Sequence, residues 1–430
     1  MARTVRIMDA YQRRVIDDDL DELLPELAAI SLEGPKGVGK TETARARAVT
    51  VHLLDDPRAL QVMQADPSRL LDGPHPVLID EWQRLPSSWD LVRRAVDADS
   101  SPGRFILTSS ASPATPATHS GAARIVQLRM RPLALSERGF PTSVSLAALL
   151  GGTRPAIEGA TTTSLEDYVV EILSGGFPAL RGLGERALRL QLDSYLARVV
   201  DHDFPDLGRP VRRPDALRRW MAAYAAASSS TASYDTIRDA ATGGEGDKPA
   251  KTTTGPYRDT LERLWLVDPV PAWTPSRNHL KRLGSAPKHQ LADPALAARL
   301  LDVAAEDLLE GRDVGPSMPR DGNLLGALFE SLVAQSLRVY AQAAEANVGH
   351  LRTQGGIHEV DFVVTGRGRK CVAVEVKLSA VVDDDDVRHL HWLKGRLGEE
   401  LVDSVIVTTG RDAYRRADGV AVVPAALLGP

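Results

Sequence analysis

The chain reads as an α/β protein of three successive units: a parallel-sheet unit with a phosphate-binding loop, a helical middle with a winged-helix-like segment, and a second, compact α/β unit. Three observations predict this. Short apolar runs alternate with helical periodicity over the first third, a G-x-x-x-x-G-K-T stretch joins the first run to the first helix, and the last quarter runs helix, three short strands, helix, strand. Boundaries are expected at 1–150, 160–310 and 320–430.

The amino-terminal alternation is specific. Ala28–Leu32, Val49–Leu54, Val77–Ile79 and Phe105–Leu107 are strand-like runs, Thr41–Val49 is rich in helix formers, and Trp89, Val92 and Val96 recur at helical spacing. The tract from Ser109 to Ser120 is too polar and proline-broken for either element and is expected to be an exposed loop. From Leu165 to Ala227 the pattern is helical. Between Thr231 and Pro271, a short helix at Tyr234–Ala240, a polar turn, a helix near Tyr257–Leu266 and short strands resemble a winged helix-turn-helix. A Gly/Pro-rich break at Gly311–Asn323 precedes a long helix, Leu324–Ala343. Strands are then expected at His350–Arg352, His358–Val364 and Cys371–Leu378, a helix at Val387–Leu397 and a strand at Ser404–Thr408.

Composition excludes several classes. The 430 residues, 43% hydrophobic and 25% charged, are ordinary for globular domains and can bury sizeable cores without staples. No apolar run reaches the roughly 18 residues of a membrane span, and the first residues lack the apolar core of a signal peptide, so a cytoplasmic location is expected. The single cysteine, Cys371, fits a reducing compartment and excludes a cysteine-built zinc site. A net charge of −5 argues against a coat of nucleic-acid-binding charge but leaves room for one basic groove. Only nine of the 52 cations are lysine. Lysine is therefore the exception here, and Lys40 and Lys377 fall where chemistry prefers a compact ammonium to a planar fork.

Gly34, Pro35, Lys36, Gly37, Val38, Gly39, Lys40 and Thr41 form the phosphate loop, between a strand and a helix as the motif requires. Its glycines let backbone amides converge on phosphates at the positive end of a helix. Lys40 is expected to neutralise the β- and γ-phosphates of ATP, and Thr41 to ligate Mg²⁺. Pro76–Ile79 is an apolar strand that delivers Asp80 to the same edge, where it would hold Mg²⁺, with Glu81 placed to polarise an attacking water. Two adjacent acids at a strand end are also an ordinary solvated edge. Thr108, Ser109 and Ser110 end the next strand where a γ-phosphate sensor would sit, or where a loop serine would. Arg124 is a candidate charge-stabilising finger, in competition with Arg104 and Arg129.

These residues resemble a family of prokaryotic AAA-type P-loop ATPases whose carboxyl-terminal half is a domain of unknown function with a restriction-endonuclease-like terminus. The resemblance rests on GPKGVGKT, LIDEWQ, ILTSSA, RMRPLALSE (Arg129–Glu137), GGFPAL (Gly175–Leu180), RVVDHDF (Arg198–Phe204), KHQLADPALA (Lys288–Ala297), GALFESLV (Gly326–Val333) and HEVDFVV with VAVEVK. Trp82 stands where small or aliphatic residues are more usual. The resemblance implies ATP binding and hydrolysis, and leaves the physiological substrate open.

In the last unit, Asp361, Glu375 and Lys377 fall on adjacent strands, and residues two apart share a face. The pattern looks like the D…E-x-K core of restriction-endonuclease-like nucleases. There Asp361 and Glu375, with Glu330 of the preceding helix, would bind Mg²⁺, and Lys377 would position or deprotonate water. The same alternation describes any half-exposed sheet, and such folds can keep acids that no longer catalyse. His358 reads as a surface residue, and Asp383–Asp386 as a cap on the next helix. In the winged-helix-like segment Lys248, Lys251, Arg258 and Arg263 are cations, but Asp259 and Glu262 share the helix, which favours a structural role. The expectation is an ATPase coupled to a nuclease-like module acting on DNA or RNA, with a nucleotide-controlled, non-catalytic binding protein as the alternative. A homo-oligomer is compatible with both.

Overall fold

A computed structural model describes residues 11–112, 121–242, 251–275, 286–312, 315–316 and 322–430. Most of the Ser/Thr-rich loop, the turn holding Lys248 and much of the Gly/Pro-rich break lie outside the described residues.

The amino-terminal sheet has strands β1 (Ala29–Glu33), β2 (Thr50–Leu53), β3 (Val77–Asp80), β4 (Phe105–Ser109) and β5 (Val126–Arg129), all parallel, in the order β2-β3-β4-β1-β5. β3 and β4 are buried throughout, as strands covered on both faces must be, and this is why they read as unbroken apolar runs. β5 was not expected from the sequence, where its Val-Gln-Leu-Arg carries only two apolar residues. It forms because it pairs with β1 at the sheet edge, half-exposed. The helix after the phosphate loop is Lys40–Arg45, shorter than the expected Thr41–Val49, because Val49 and Thr50 turn to donate to the Pro76 carbonyl.

The middle is helical: Leu165–Ser174, Glu185–Arg198, Pro214–Ala226, Tyr234–Ala240, Lys251–Arg263 and Pro294–Leu300. A π-helical turn, Val199–Asp203, continues the second of these. The helix expected at Tyr257–Leu266 is displaced to Lys251–Arg263, and Trp265 breaks it with a left-handed backbone (φ 61°). The short strands expected next are isolated antiparallel bridges, Val267 with Leu291 and Val270 with Lys288, so this pairing draws Lys288 alongside.

The carboxyl-terminal sheet holds β8 (Asn347–Arg352), β9 (Glu359–Thr365), β10 (Cys371–Lys377), β11 (Leu401–Thr408), β12 (Asp412–Arg415) and β13 (Ala421–Pro424). β8, β9 and β10 are antiparallel, and β11 lies parallel to β10 after the helix Asp384–Leu397. Asp383 caps that helix, accepting from the amides of Asp385 and Asp386, as expected of the acidic run. Two short strands from the first connection join this unit: β7 (Gly159–Ala160) pairs with β12, and β6 (Val144–Ser145) pairs with β14 (Leu428–Gly429). One apolar cluster consequently runs from Ile16 through Leu428. At its centre is the helix Leu324–Ala343, where the hydroxyls of Ser336 and Tyr340 accept from the amides of Leu135 and Ser136 (3.1 and 3.0 Å). No helix among the described residues is long and apolar enough to cross a membrane.

Candidate functional site

The phosphate loop leaves β1 and turns on Gly34, Gly37 and Gly39. A Cβ on Gly34 would lie 2.0 Å from the Met130 carbonyl oxygen, so the residue is fixed by close approach. Gly37 and Gly39 adopt φ of 81° and 101°, the left-handed region that glycine favours. Lys40, 5% exposed, donates to the carbonyls of Gly34 and Pro35, both at 2.8 Å. Burial pushes its ammonium down to about 8, against the opposing charges of Glu81 and Asp80. The loop is also clamped from outside. Arg14 donates to Val38 O (2.8 Å) while paired with Glu137, and Lys36 is paired with Asp203 (2.5 Å). Val38 itself is buried.

β4 lies between β1 and β3, and that order builds the rest of the site. Asp80 Oδ1 accepts from Thr41 Oγ1 (2.8 Å) and Thr108 Oγ1 (2.6 Å). Burial raises the Asp80 carboxyl above its ordinary value, and these two hydroxyls act against that rise. Glu81 has a left-handed backbone (φ 55°), which costs a non-glycine residue about 1 kcal/mol or more and is held by its amide donating to Thr108 Oγ1 (3.1 Å). Its carboxylate accepts from Ser110 Oγ (2.6 Å) and from Gln83. The Thr41 hydroxyl and Asp80 carboxylate are hard oxygen donors, and their chemistry fits Mg²⁺. The structure therefore brings the expected Lys40, Thr41, Asp80 and Glu81 to one sheet edge. The strand-end hydroxyls of Thr108 and Ser110 serve the two carboxylates, and Ser109 bonds Ala111 O.

The arginine candidates are otherwise engaged. Arg104 and Arg124 precede β4 and β5, so in a parallel sheet they lie at the edge opposite the loop; Arg124 pairs with Asp97 and Arg104 donates to the carbonyls of Ala95 and Asp99. Arg129 lies over the Trp265 ring and pairs with Asp268, which also holds Arg131 and Arg338. Burial opposes ionisation of Asp268, but three guanidiniums hold its carboxyl far below the usual range. Asp268 joins the end of β5 to the Leu324–Ala343 helix. Between Tyr234 and Arg263, Lys251 pairs with Asp235, and Arg258 with Asp259 and Glu262.

A cavity of about 850 Å³ opens between the middle and carboxyl-terminal units, lined by Lys288, Glu330, Glu359, Asp361, Glu375 and Lys377 among others. The expected acids do converge. Glu375 Oε2 accepts weakly from the Asp361 amide (3.4 Å), Asp361 Oδ2 accepts from the Val376 amide (2.9 Å), and Lys377 Nζ lies 3.4 Å from Glu375. Among the described residues, however, no three His, Cys, Asp or Glu side chains are arranged to hold a metal ion. Lys288, 1% exposed, puts its ammonium 2.9 Å from both Glu330 Oε1 and Asp361 Oδ1, two of the three acids expected to bind Mg²⁺. Burial, then the Asp361 charge, pushes Glu330 up to about 8, and burial with the same charge holds Glu375 well above its ordinary value. For Lys377, burial is outweighed by Glu375, Asp361 and Asp386, which raise it. His358 stacks on Trp392 (ring centroids 4.0 Å).

Lys288 was missed as a site residue. Its sequence signals were its place at the head of KHQLADPALA and the scarcity of lysine, and the latter applied equally to seven others besides Lys40.

Residues 27–138 match the family model described as an AAA domain. That match supports an AAA-type P-loop ATPase for the amino-terminal unit. Residues 165–307 and 325–428 match two domains of unknown function, DUF8612 and DUF4143. Uncharacterized proteins of Mycobacterium tuberculosis and Mycobacterium bovis are each 26% identical over 423 residues, covering 96% of this chain and 84% of theirs. Among solved structures, a Walker-type ATPase of Pyrococcus abyssi is similar at 17% identity, covering 70% of this chain and 98% of that one, with a TM-score of 0.40. The ORC2 protein of Aeropyrum pernix, in ADPNP and ADP complexes, is similar at 14% identity, 71% and 94% coverage, and a TM-score of 0.26.

Proposed function

We propose that the amino-terminal unit binds ATP with Mg²⁺ and hydrolyses it, and that nucleotide state is passed to the acid-lined cavity, which recognises a partner. The convergence of Lys40, Thr41, Asp80 and Glu81 on one sheet edge carries this reading. In it, the loop amides hold the phosphates, and Lys40 exchanges its two loop carbonyls for β- and γ-phosphate oxygens. Thr41 and Asp80 hold the cation, which when bound offsets the phosphate charge. Glu81, its carboxylate fixed by Ser110, orients and polarises the attacking water. The measurement is Mg²⁺-dependent ATP turnover: Lys40→Ala loses binding and turnover, whereas Glu81→Gln keeps binding and loses turnover. Wild-type turnover in either variant removes the assigned site.

Lys288 supports recognition over cleavage at the cavity, because its buried ammonium neutralises the acids that a metal-dependent nuclease reserves for cations. The second reading, a nuclease-like module cleaving DNA or RNA, is favoured by the helix-strand order and by the approach of Asp361, Glu375 and Lys377. Cleavage with Mg²⁺ or Mn²⁺ that is abolished in both Glu375→Ala and Lys377→Ala would establish it in place of the first.

A further inference from the structure

The outer face of the phosphate loop is covered by the helical middle at one charged contact. Lys36, the third residue of the loop, places its ammonium 2.5 Å from Asp203 Oδ1, and the Asp203 side chain is 6% exposed. Tyr195 OH donates to the Lys36 carbonyl (3.3 Å), and Phe177 packs both on Tyr195 and beside Gly37. Asp203 ends the π-helical turn Val199–Asp203, and single π-turns within helices are frequent at functional sites. Arg198 Nε lies 3.9 Å from the same carboxylate oxygen, so Asp203 keeps a cation nearby if Lys36 leaves. The next residue, Phe204, is buried and packs edge-to-face with Tyr257 on the helix Lys251–Arg263. That helix returns to the ATPase sheet, where Arg263 and Ser112, just beyond β4, exchange hydrogen bonds at 3.0 and 2.9 Å.

Lys36 therefore has two anionic partners to choose between. One is a single carboxylate of the middle unit. The other arrives with a nucleotide, because Lys36 stands in the loop whose amides converge on phosphates, and its ammonium is near enough to Lys40 to depress it. A triphosphate brings more charge to this loop than a diphosphate, and only the difference between the two can move an equilibrium.

We propose that Asp203 is a positioning residue that holds Lys36 in the nucleotide-free and diphosphate states and yields it to the terminal phosphate of a nucleoside triphosphate. The helical middle thereby senses the third phosphate. This deepens, and rests on, the reading of Gly34–Thr41 as a nucleotide site.

The test is isothermal titration of the full chain, with Mg²⁺, using ADP and a non-hydrolysable ATP analogue. Asp203→Asn removes the competitor, so the triphosphate-over-diphosphate affinity ratio rises by roughly tenfold, the effect of one charge-assisted hydrogen bond. Lys36→Met lowers that ratio, weakening the triphosphate more than the diphosphate. In the double variant the ratio matches Lys36→Met alone, since Asp203 acts only through Lys36. Equal changes for both nucleotides in Asp203→Asn, or an Asp203→Asn effect that persists without Lys36, overturn the proposal. Should Asp203→Asn fail to fold, a Lys36→Met protein with an unchanged ratio overturns it as well. Lys40→Ala separates the two readings: if it leaves nucleotide binding intact the loop assignment fails, and if it abolishes binding while Asp203→Asn leaves the ratio unmoved only this proposal fails.

Discussion

The Lys288 ammonium lies 2.9 Å from Asp361 Oδ1, and the two residues are 73 positions apart in the chain. The same nitrogen reaches Glu330 at 2.9 Å. A fully buried lysine is tolerated only because carboxylates repay its desolvation, and burial opposes while Asp361 and Glu330 raise its ionisation far above the ordinary value. The pair therefore joins the middle unit to the carboxyl-terminal sheet.

Lys288→Met leaves Asp361 without its cation and Glu330 without its hydrogen-bond donor. Loss of one partner from a buried charge pair costs about 3–5 kcal/mol, so a matching loss of unfolding free energy is expected in denaturant titrations. Adding Asp361→Asn should recover part of it. A Lys288→Met protein as stable as wild type would show that the pair is not formed.

Glu330 sets a pH dependence. Its folded carboxyl is raised to about 8, so between the unfolded value near 4.5 and pH 8 the folded state binds more protons. Its contribution is complete below the unfolded value and is lost as pH rises through about 8, with a slope of at most about 1.4 kcal/mol per pH unit. Denaturation midpoints should fall between pH 5 and 9 and fall less steeply in Glu330→Gln. Parallel profiles would assign the slope to another group.

Lys40 predicts the pH response of binding. With its ammonium depressed to about 8, the nucleotide-free protein loses that proton as pH rises through 8, and the phosphates must then restore it. ATP affinity should decline above pH 8. A flat affinity from pH 7 to 9 would place the ammonium elsewhere.

Asp268 gathers Arg129, Arg131 and Arg338, so Asp268→Asn strands three partly buried guanidiniums. A loss of about 3–5 kcal/mol is expected, eased by adding Arg338→Met. Strictly additive effects would mean that the residues do not share a site.

The legible parts of this protein were those whose chemistry is local. Gly34–Thr41 is one contiguous turn, Asp80 ends an apolar strand, and Asp383 caps the helix that follows it, so spacing was enough to read them. β5 and the bridges at Val267 and Val270 were not legible, because their pairing partners, rather than their own pattern, make them strands.

The sequence by itself determined an α/β chain with a phosphate loop, an acid-ended strand and a D…E-x-K pattern, since strand alternation and backbone turns are short-range properties. Tertiary structure alone decided that β4 would come between the loop strand and the acid strand, that Asp203 would reach Lys36, and that Lys288 would occupy the space among the carboxylates. The reason is physical: burying a charge is unfavourable until a partner from a distant segment compensates it, and no local pattern of residues specifies which distant segment that will be.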